Sequence, residues 1–433
     1  MDTPQGLVDR LASDIGAIAD DIQRYVRRPG ADFTRRRLMG AGDVIWAVVC
    51  MGTSTLGYEL SWLAGPPGPP SPSAFCQQRA KIVEEAFRQL LLLFWPDVPE
   101  GPRIAAGLRL AAVDGTEVVM QRNPRDPETH NPKSNGHSGT GYNSVHATAL
   151  LDMSRDMFLD AVVQPGPAKD EPAAFRELVD RCDPALTVVG DRGFAGYNNF
   201  AHCIERGVGF VIRLTDEFAA RLLGVGELPD EADVDVGLLL SRSRRASLRS
   251  APGYRFVSPS MKFDYLEGAG STYRMRLRVV RFPVGDGAFV NLATSLGRAE
   301  HGPGELKEIY AARWGIETAF RDLKHTVGLA RLHSASARGA AQEVYARMVL
   351  YNFCSAMAAL AEPLVKPRSG LKHEYAVNFA AAVRACRAVL WPRAGPTGGL
   401  LERIAANLCP VRPGRSFARH RRLWSPGSYN YRS

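Results

Sequence analysis

Three things are scarce in this 433-residue chain, and each narrows what it can do. Long apolar runs are scarce. The longest, at 44–51 and 90–95, fall far short of the roughly 18 residues that a membrane-spanning helix needs, so a membrane protein is not expected. Residues 1–14 lack the basic-then-apolar order of a secretion signal. Cysteine pairing is scarce too. The seven cysteines (50, 76, 182, 203, 354, 386, 409) form no Cys-x-x-Cys pair and no Cys/His cluster with zinc-finger spacing. That excludes a disulfide framework and fits reduced, mostly buried thiols in a cytosolic protein. Lysine is the third: Lys plus Arg total 54 against 45 Asp plus Glu, giving +9, and almost all of the basic charge is Arg. Arg is planar and bidentate, which suits phosphate. A basic balance suits a polyanionic partner, although a GC-rich genome gives the same Arg, Ala, Gly and Pro bias. With 45% hydrophobic and 23% charged residues, a mostly disordered chain is excluded.

The texture then changes along the chain. Residues 1–100 read as helices: 7–26 has amphipathic spacing, 38–50 is apolar, and 73–94 predicts one long helix. A stiff GPPGPPSP segment at 65–72 punctuates them. From about 108, strands appear. LAAVDGTEVVM at 110–120 reads as a strand with a polar interruption, 143–152 and 157–163 as a β-hairpin, and 186–190 as a short buried strand ending at Asp191. Helices are expected at 171–181 and 197–206, and another strand at 208–214. Strand, strand, strand, helix, strand, helix, strand is an α/β layer with an antiparallel start. Residues 215–295 read as a β-rich insertion, with ten Lys/Arg between 241 and 281 against only Asp264 and Glu267. One long helix is predicted at 303–329, further helices at 342–360 and 375–390, and a basic tail without acids at 411–433.

Three acids stand out by position. Asp114 interrupts an apolar strand, Asp191 follows one, and Glu317 lies in the middle of a long helix. A carboxylate in such a place is costly unless it is paired or binds a metal, although Asp-Gly after a strand is also an ordinary turn. If the two strands are parallel neighbours, the two aspartates meet, and like charges brought together need a cation between them. Oxygen ligands without Cys or His point to Mg²⁺ or Mn²⁺ rather than zinc. Around Glu317, Tyr310, Arg313, Glu317, Phe320 and Lys324 recur at +3, +7, +10 and +14. At roughly 100° per residue they share a stripe about 80° wide. An exposed face stapled by an Arg313–Glu317 pair, worth about 0.3–0.5 kcal/mol, explains little of this pattern. A face that meets metal through Glu317 and phosphate through Tyr310, Arg313 and Lys324 explains all its polar members.

The pattern Tyr-x2-Arg-x3-Glu-x6-Lys, filled here as YAARWGIETAFRDLK, resembles the signature of bacterial cut-and-paste DDE transposases of the insertion-sequence-four family. AAVDGT and VVGDRGF resemble that family's two catalytic-Asp segments, and GFVIRL its arginine-bearing strand. FTRRRLM and PVRPGRSFARHRR are similar to its terminal segments. The likeness covers most of 30–425 and is strong near 114, 191 and 310–324. It implies a ribonuclease-H-like mixed sheet flanked by helices, with a β-rich insertion and a helical N-terminal domain. It implies Asp114, Asp191 and Glu317 as catalytic metal ligands for Mg²⁺, with Mn²⁺ able to substitute. It implies DNA contacts from Tyr310, Arg313, Lys324, Arg35, Arg36 and Arg192. Trp314 either stacks on a displaced base or packs in the core. Arg35–Arg37 are either phosphate contacts or a solvated helix start. The loop 121–141, with His130, Lys133 and His137, is either a DNA contact or a plain surface hairpin loop.

The expected organisation is a helical DNA-binding region at 1–105, a first part of the catalytic core at 106–214, the basic insertion at 215–295, a second part of the core with the Glu317 helix at 296–360, and a helical C-terminal region with a basic tail at 361–433. The expected activity is cleavage at insertion-sequence ends and joining to target DNA by two-metal-ion phosphoryl transfer. The expected partner is double-stranded DNA, both inverted repeats and target, bound by a homodimer at the bacterial nucleoid in the cytoplasm. The rivals are a catalytically silent or domesticated DNA-binding relative, or another ribonuclease-H-like metal nuclease. The first predicts a damaged acidic triad. The second has no need of the Tyr/Arg/Lys set.

Overall fold

Apolar runs in this chain form buried strands and helices wherever a partner surface covers them. The computed structural model describes residues 2–35, 38–62, 68–101, 104–132, 141–268, 270–285, 287–365, 373–390 and 396–411. The helical N-terminal stretch comprises α1 (Pro4–Asp20), α2 (Ala41–Cys50), α3 (Leu56–Trp62), α4 (Pro72–Arg79) and α5 (Glu85–Leu93). Thr3 caps α1 by accepting from the Gly6 amide, and Ser71 caps α4 by accepting from Ala74. The single helix predicted over 73–94 is two helices. Ile82 is drawn into a β-bridge with Val26, and the neighbouring backbone follows it. The Arg27 amide donates to the Lys81 carbonyl at 2.8 Å and the Val83 amide to the Tyr25 carbonyl at 2.9 Å. These long-range bonds replace the helical ones that propensity favours.

The strands then follow as β1 (Arg109–Met120), β2 (His130–Asn131), β3 (Tyr142–Asp152), β4 (Met157–Pro165), β5 (Leu186–Gly190) and β6 (Gly209–Leu214), with α6 (Glu171–Arg181) and α7 (Tyr197–Arg206) between the later ones. β1 pairs antiparallel with β3 and parallel with β5, β3 pairs antiparallel with β4, and β5 pairs parallel with β6. The lateral order is therefore β4-β3-β1-β5-β6, an antiparallel hairpin feeding a parallel half. That is the ribonuclease-H-like arrangement expected from the sequence.

The chain continues through α8 (Asp216–Leu223), β7 (Ala232–Ser241), α9 (Ala246–Arg249), β8 (Tyr254–Phe256), β9 (Thr272–Gly285) and β10 (Ala288–Thr294). β10 pairs antiparallel with β6, so this segment extends the same sheet, which reaches ten strands. Two of its arginines are structural. Arg278 lies 2.6 Å from Asp233, and Arg281 lies 2.9 Å from Asp216; both are buried. Arg244, Arg245, Arg249, Lys262, Arg274 and Arg276 are exposed.

Next come α10 (Pro303–Ala312), α11 (Trp314–His325), α12 (Ala337–Ala361), β11 (Tyr375–Val377), α13 (Phe379–Leu390), α14 (Leu400–Ala405) and β12 (Leu408–Pro410). Two predicted helices are corrected here. The helix expected over 303–329 breaks at Arg313. There the Arg313 amide bonds to the Tyr310 carbonyl at 3.2 Å and the Ile316 amide to the Arg313 carbonyl at 3.1 Å, tighter i+3 turns in place of α-helical bonds. The helix expected over 375–390 starts later. Residues Tyr375–Val377 pair with β12, and Asn378 begins α13 by accepting from the Ala381 amide at 3.1 Å.

One sheet face packs on α6 and α7, with Val113, Phe175, Leu178 and Phe200 in its core. The opposite face shares a core with α1, α2, α5, α11, α12, α13 and α14, which runs from Leu7 to Ile404. Its axis is α12. The stretch Ala337–Leu364 is long and apolar enough to cross a membrane, yet 83% of its most apolar window is buried inside the protein. The buried Gln342, Glu343, Arg347 and Asn352 interrupt the apolar run, which is why no long run appears in the sequence.

Candidate active site

The parallel pairing of β1 with β5 sets Val113 opposite Gly190, so Asp114 and Asp191 follow at the next level of adjacent strands. Ala112 belongs to the core on the α12 side and Val113 to the core on the α6 and α7 side. Strand alternation therefore turns Asp114 toward the α11–α12 side. Asp191 closes β5, and its carbonyl accepts from the Phe194 amide at 3.0 Å in a short turn. β1 tolerates the interruption because Asp114 Oδ1 accepts from the Gly115 amide at 2.8 Å.

α10 and α11, which meet at Arg313, bring helical residues to these acids. Tyr310 donates its hydroxyl to Asp191 Oδ1 at 3.2 Å. Arg313 Nη2 donates to Glu317 Oε1 at 3.2 Å, and Nη1 lies 3.9 Å from Asp114 Oδ2. Arg313 is only 3% exposed, whereas the Asp114 and Glu317 side chains each keep 27% of their surface open. Asp114 and Glu317 of the sequence reading thus share one guanidinium, and Tyr310 ties Asp191 to the same pair of helices.

Electrostatics agree with this geometry. Burial raises the Asp114 carboxyl above the usual carboxylate range, and the charges of Glu317 and Asp191 add to the rise; the Gly115 amide and Arg313 oppose it. Burial works against charge on Arg313, but Tyr310, Asp114, Asp191 and the hydrogen bond to Glu317 outweigh it and hold the guanidinium protonated. Tyr310 is pushed up by burial and by Asp191, so it stays a phenol and a donor. Burial lowers the Lys324 ammonium, partly offset by Glu117 and Asp114.

The other predicted contacts fall in different places. Trp314 is 57% exposed, which removes the core-packing alternative, and the Arg313 guanidinium lies 5.5 Å from its ring centroid. Arg192 is exposed in the turn after Asp191. Arg35 is exposed in a separate cleft of the N-terminal region, lined also by Arg28, Phe33 and Lys81, and not on the acidic cluster. Arg36, Arg37, Lys133, His137 and the tail from 412 onward lie outside the described residues. His130 pairs with Asn143 at the start of β3, so part of the loop 121–141 is sheet edge.

Arg213, the arginine of the GFVIRL strand, acts electrostatically on the Tyr310 hydroxyl from β6. One feature escaped the sequence reading. His146, buried on β3, lies 2.9 Å from Glu171 at the start of α6. A Cβ on Gly115 would come to 2.5 Å from His146 Nε2 and 2.8 Å from Glu171 Oε1, so a larger residue beside Asp114 would have to displace the His146–Glu171 pair. A histidine inside the apolar strand NSVHATALL was the available signal.

The donor set, three carboxylates with no thiol or imidazole among them, fits a hard divalent cation. No three acidic, histidine or cysteine side chains among the described residues stand close enough together to hold a metal ion as they are.

A family profile described as a transposase DDE domain matches residues 105–353. No curated protein matches the chain. Among solved structures, a piggyBac transposase synaptic complex with hairpin DNA is similar with a TM-score of 0.45 and 11% identity, over 96% of this chain and 87% of that one.

Proposed function

The chain belongs to the transposase DDE-domain family, and from that premise we propose that it cleaves DNA at the ends of an insertion sequence and joins them to target DNA. The observation that carries this reading is the register that sets Asp114 beside Asp191, with Glu317 facing them across Arg313. Asp114, Asp191 and Glu317 would hold the divalent ions, Mg²⁺ with Mn²⁺ as substitute. When bound, such ions supply positive charge at the scissile phosphate and lower the pKa of water. The chain's own residues do the rest. Tyr310, Arg313, Arg213 and Lys324 present donors to phosphate oxygens, the phenol keeps Asp191 oriented, and Trp314 offers an open aromatic face to an unstacked base, worth about 1–3 kcal/mol. The Tyr-Arg-Glu-Lys spacing supports placement among the insertion-sequence-four transposases of bacteria. End recognition is assigned to the N-terminal region 1–105, with Arg35 and Arg36 among its contacts. Backbone contact is assigned to Arg192, to the exposed arginines of 241–281 and to the basic tail. A homodimer on DNA follows from the family reading.

The test is a duplex carrying the inverted repeats that flank the reading frame, incubated with the protein and Mg²⁺. The expected result is strand breaks at the repeat ends and joined products, both lost in EDTA. End binding without metal-dependent cleavage would instead identify a silent relative. Lys324→Ala is expected to weaken cleavage and to reduce the log–log salt slope of end binding by about 0.9, one phosphate's worth. An unchanged slope would remove Lys324 from the contact set.

A further inference from the structure

We propose that Arg313 is a placeholder cation: in the DNA-free protein it occupies the position of the divalent ions, and a DNA phosphate draws it away so that metal loads after DNA. This inference rests on the reading of the three acids as metal ligands. One guanidinium, almost wholly buried, reaches Glu317 at 3.2 Å and stands 3.9 Å from Asp114, and it feels Asp191 as well. Mg²⁺ requires its oxygens at about 2.0–2.1 Å. Glu317 would have to turn its oxygen from Arg313 to the ion. A divalent ion placed among the same carboxylates would also stand close to a permanent positive charge and be repelled by it. The two cations therefore compete for one set of oxygens.

Arg313 is also built to leave. Its Nε is buried without a hydrogen-bond partner among the described residues, so its present position satisfies the guanidinium incompletely. A phosphate would take two of its N–H groups at once. The residue sits at the break between α10 and α11, and Trp314 beside it is open to solvent. Departure of Arg313 removes the guanidinium that Asp114 and Glu317 share, which raises the demand of the acidic cluster for a divalent cation. DNA and metal then bind with positive coupling, and linkage makes the effect reciprocal. The free enzyme is kept from loading metal and cutting before an end is in place.

The experiment is Mn²⁺ titration of the full chain followed by electron paramagnetic resonance, with and without a terminal-repeat duplex. Wild-type protein is expected to bind Mn²⁺ about tenfold more tightly with the duplex present. Arg313→Gln is expected to bind Mn²⁺ about tenfold more tightly than wild type without DNA, and to gain little more from the duplex. Unchanged or weaker Mn²⁺ binding in folded R313Q overturns the proposal. If R313Q does not fold, the wild-type comparison decides: a gain with duplex supports the proposal, and no gain overturns it. Asp114→Asn and Glu317→Gln separate this from the functional reading. If both variants keep full Mn²⁺ binding in the DNA complex, the assignment of the acids as ligands fails. If they lose it while wild type binds equally well with and without DNA, only the placeholder role fails.

Discussion

Asp114→Asn is expected to bind DNA ends nearly as well as wild type, to cleave them at least about a thousandfold more slowly, a loss of ~4 kcal/mol at the transition state, and to melt no lower. The three results come from one cause. Asp114 sits in a strand flanked by buried Ala112 and Val113, and burial together with Glu317 and Asp191 already disfavours its charge. Its carboxyl is raised in the folded state, so the stability it contributes is fully present below the unfolded-state pKa and is lost as pH rises through the folded value. At neutral pH the charge is a cost to the fold. Asparagine keeps the shape and an oxygen that can accept from the Gly115 amide, and it removes that cost. What it cannot replace is a full negative charge toward a divalent ion. Cleavage assays paired with thermal melts check this. Retained Mg²⁺-dependent cleavage would contradict the assignment, and a large fall in melting temperature would make Asp114 a structural residue.

Glu343→Ala should have the largest effect on stability, about 3–5 kcal/mol, because it leaves buried partners without their counter-charge. Glu343 is 0% exposed on α12. It accepts from Arg79 at 2.9 Å, from the His333 amide at 2.9 Å and from the Ser334 amide at 2.9 Å. Burial raises its carboxyl, but Arg79, the His333 hydrogen bond and Arg347 overcome that and hold it well below the usual range. A depressed acid contributes stability above its unfolded-state pKa and loses it as pH falls through the folded one. The network therefore holds at neutral pH and weakens only in strong acid. Arg79 also donates to Gln342 Oε1 at 2.8 Å and to the Gly339 carbonyl. Alanine would leave this buried guanidinium without its counter-charge and two amides without their acceptor. The affected contacts join α4, α12 and the loop after α11, so N-terminal helices and the Glu317 helix loosen together. Urea denaturation measures the loss. A change below about 1 kcal/mol would show that water or neighbours replace the carboxylate.

The acids were legible because each breaks a local rule. Asp114 is a charge within an apolar strand and Asp191 one directly after another, and it is the parallel pairing of β1 with β5 in the structure that sets the two side by side. The polar stripe from Tyr310 to Lys324 was legible from helical spacing. The break at Arg313 was not, because the short i+3 turns there are a local backbone choice that spacing does not report. The split of 73–94 was hidden for a related reason: a β-bridge from Val26 to Ile82 joins residues 56 positions apart. Period reading sees only neighbours, so pairs made across the sheet, such as His146 with Glu171, and cores shared across the chain, such as Leu7 with Ile404, lie beyond it. The extension of the sheet by β10 was invisible in the same way, since a β-rich composition over 215–295 does not name a strand's partner.

The most direct measurement is anomalous scattering from crystals of the protein with a terminal-repeat duplex and Mn²⁺. Manganese peaks bounded by Asp114, Asp191 and Glu317 are the predicted result. Metal-dependent cleavage in solution, with manganese absent from those three carboxylates or bound elsewhere on the chain, would contradict the account.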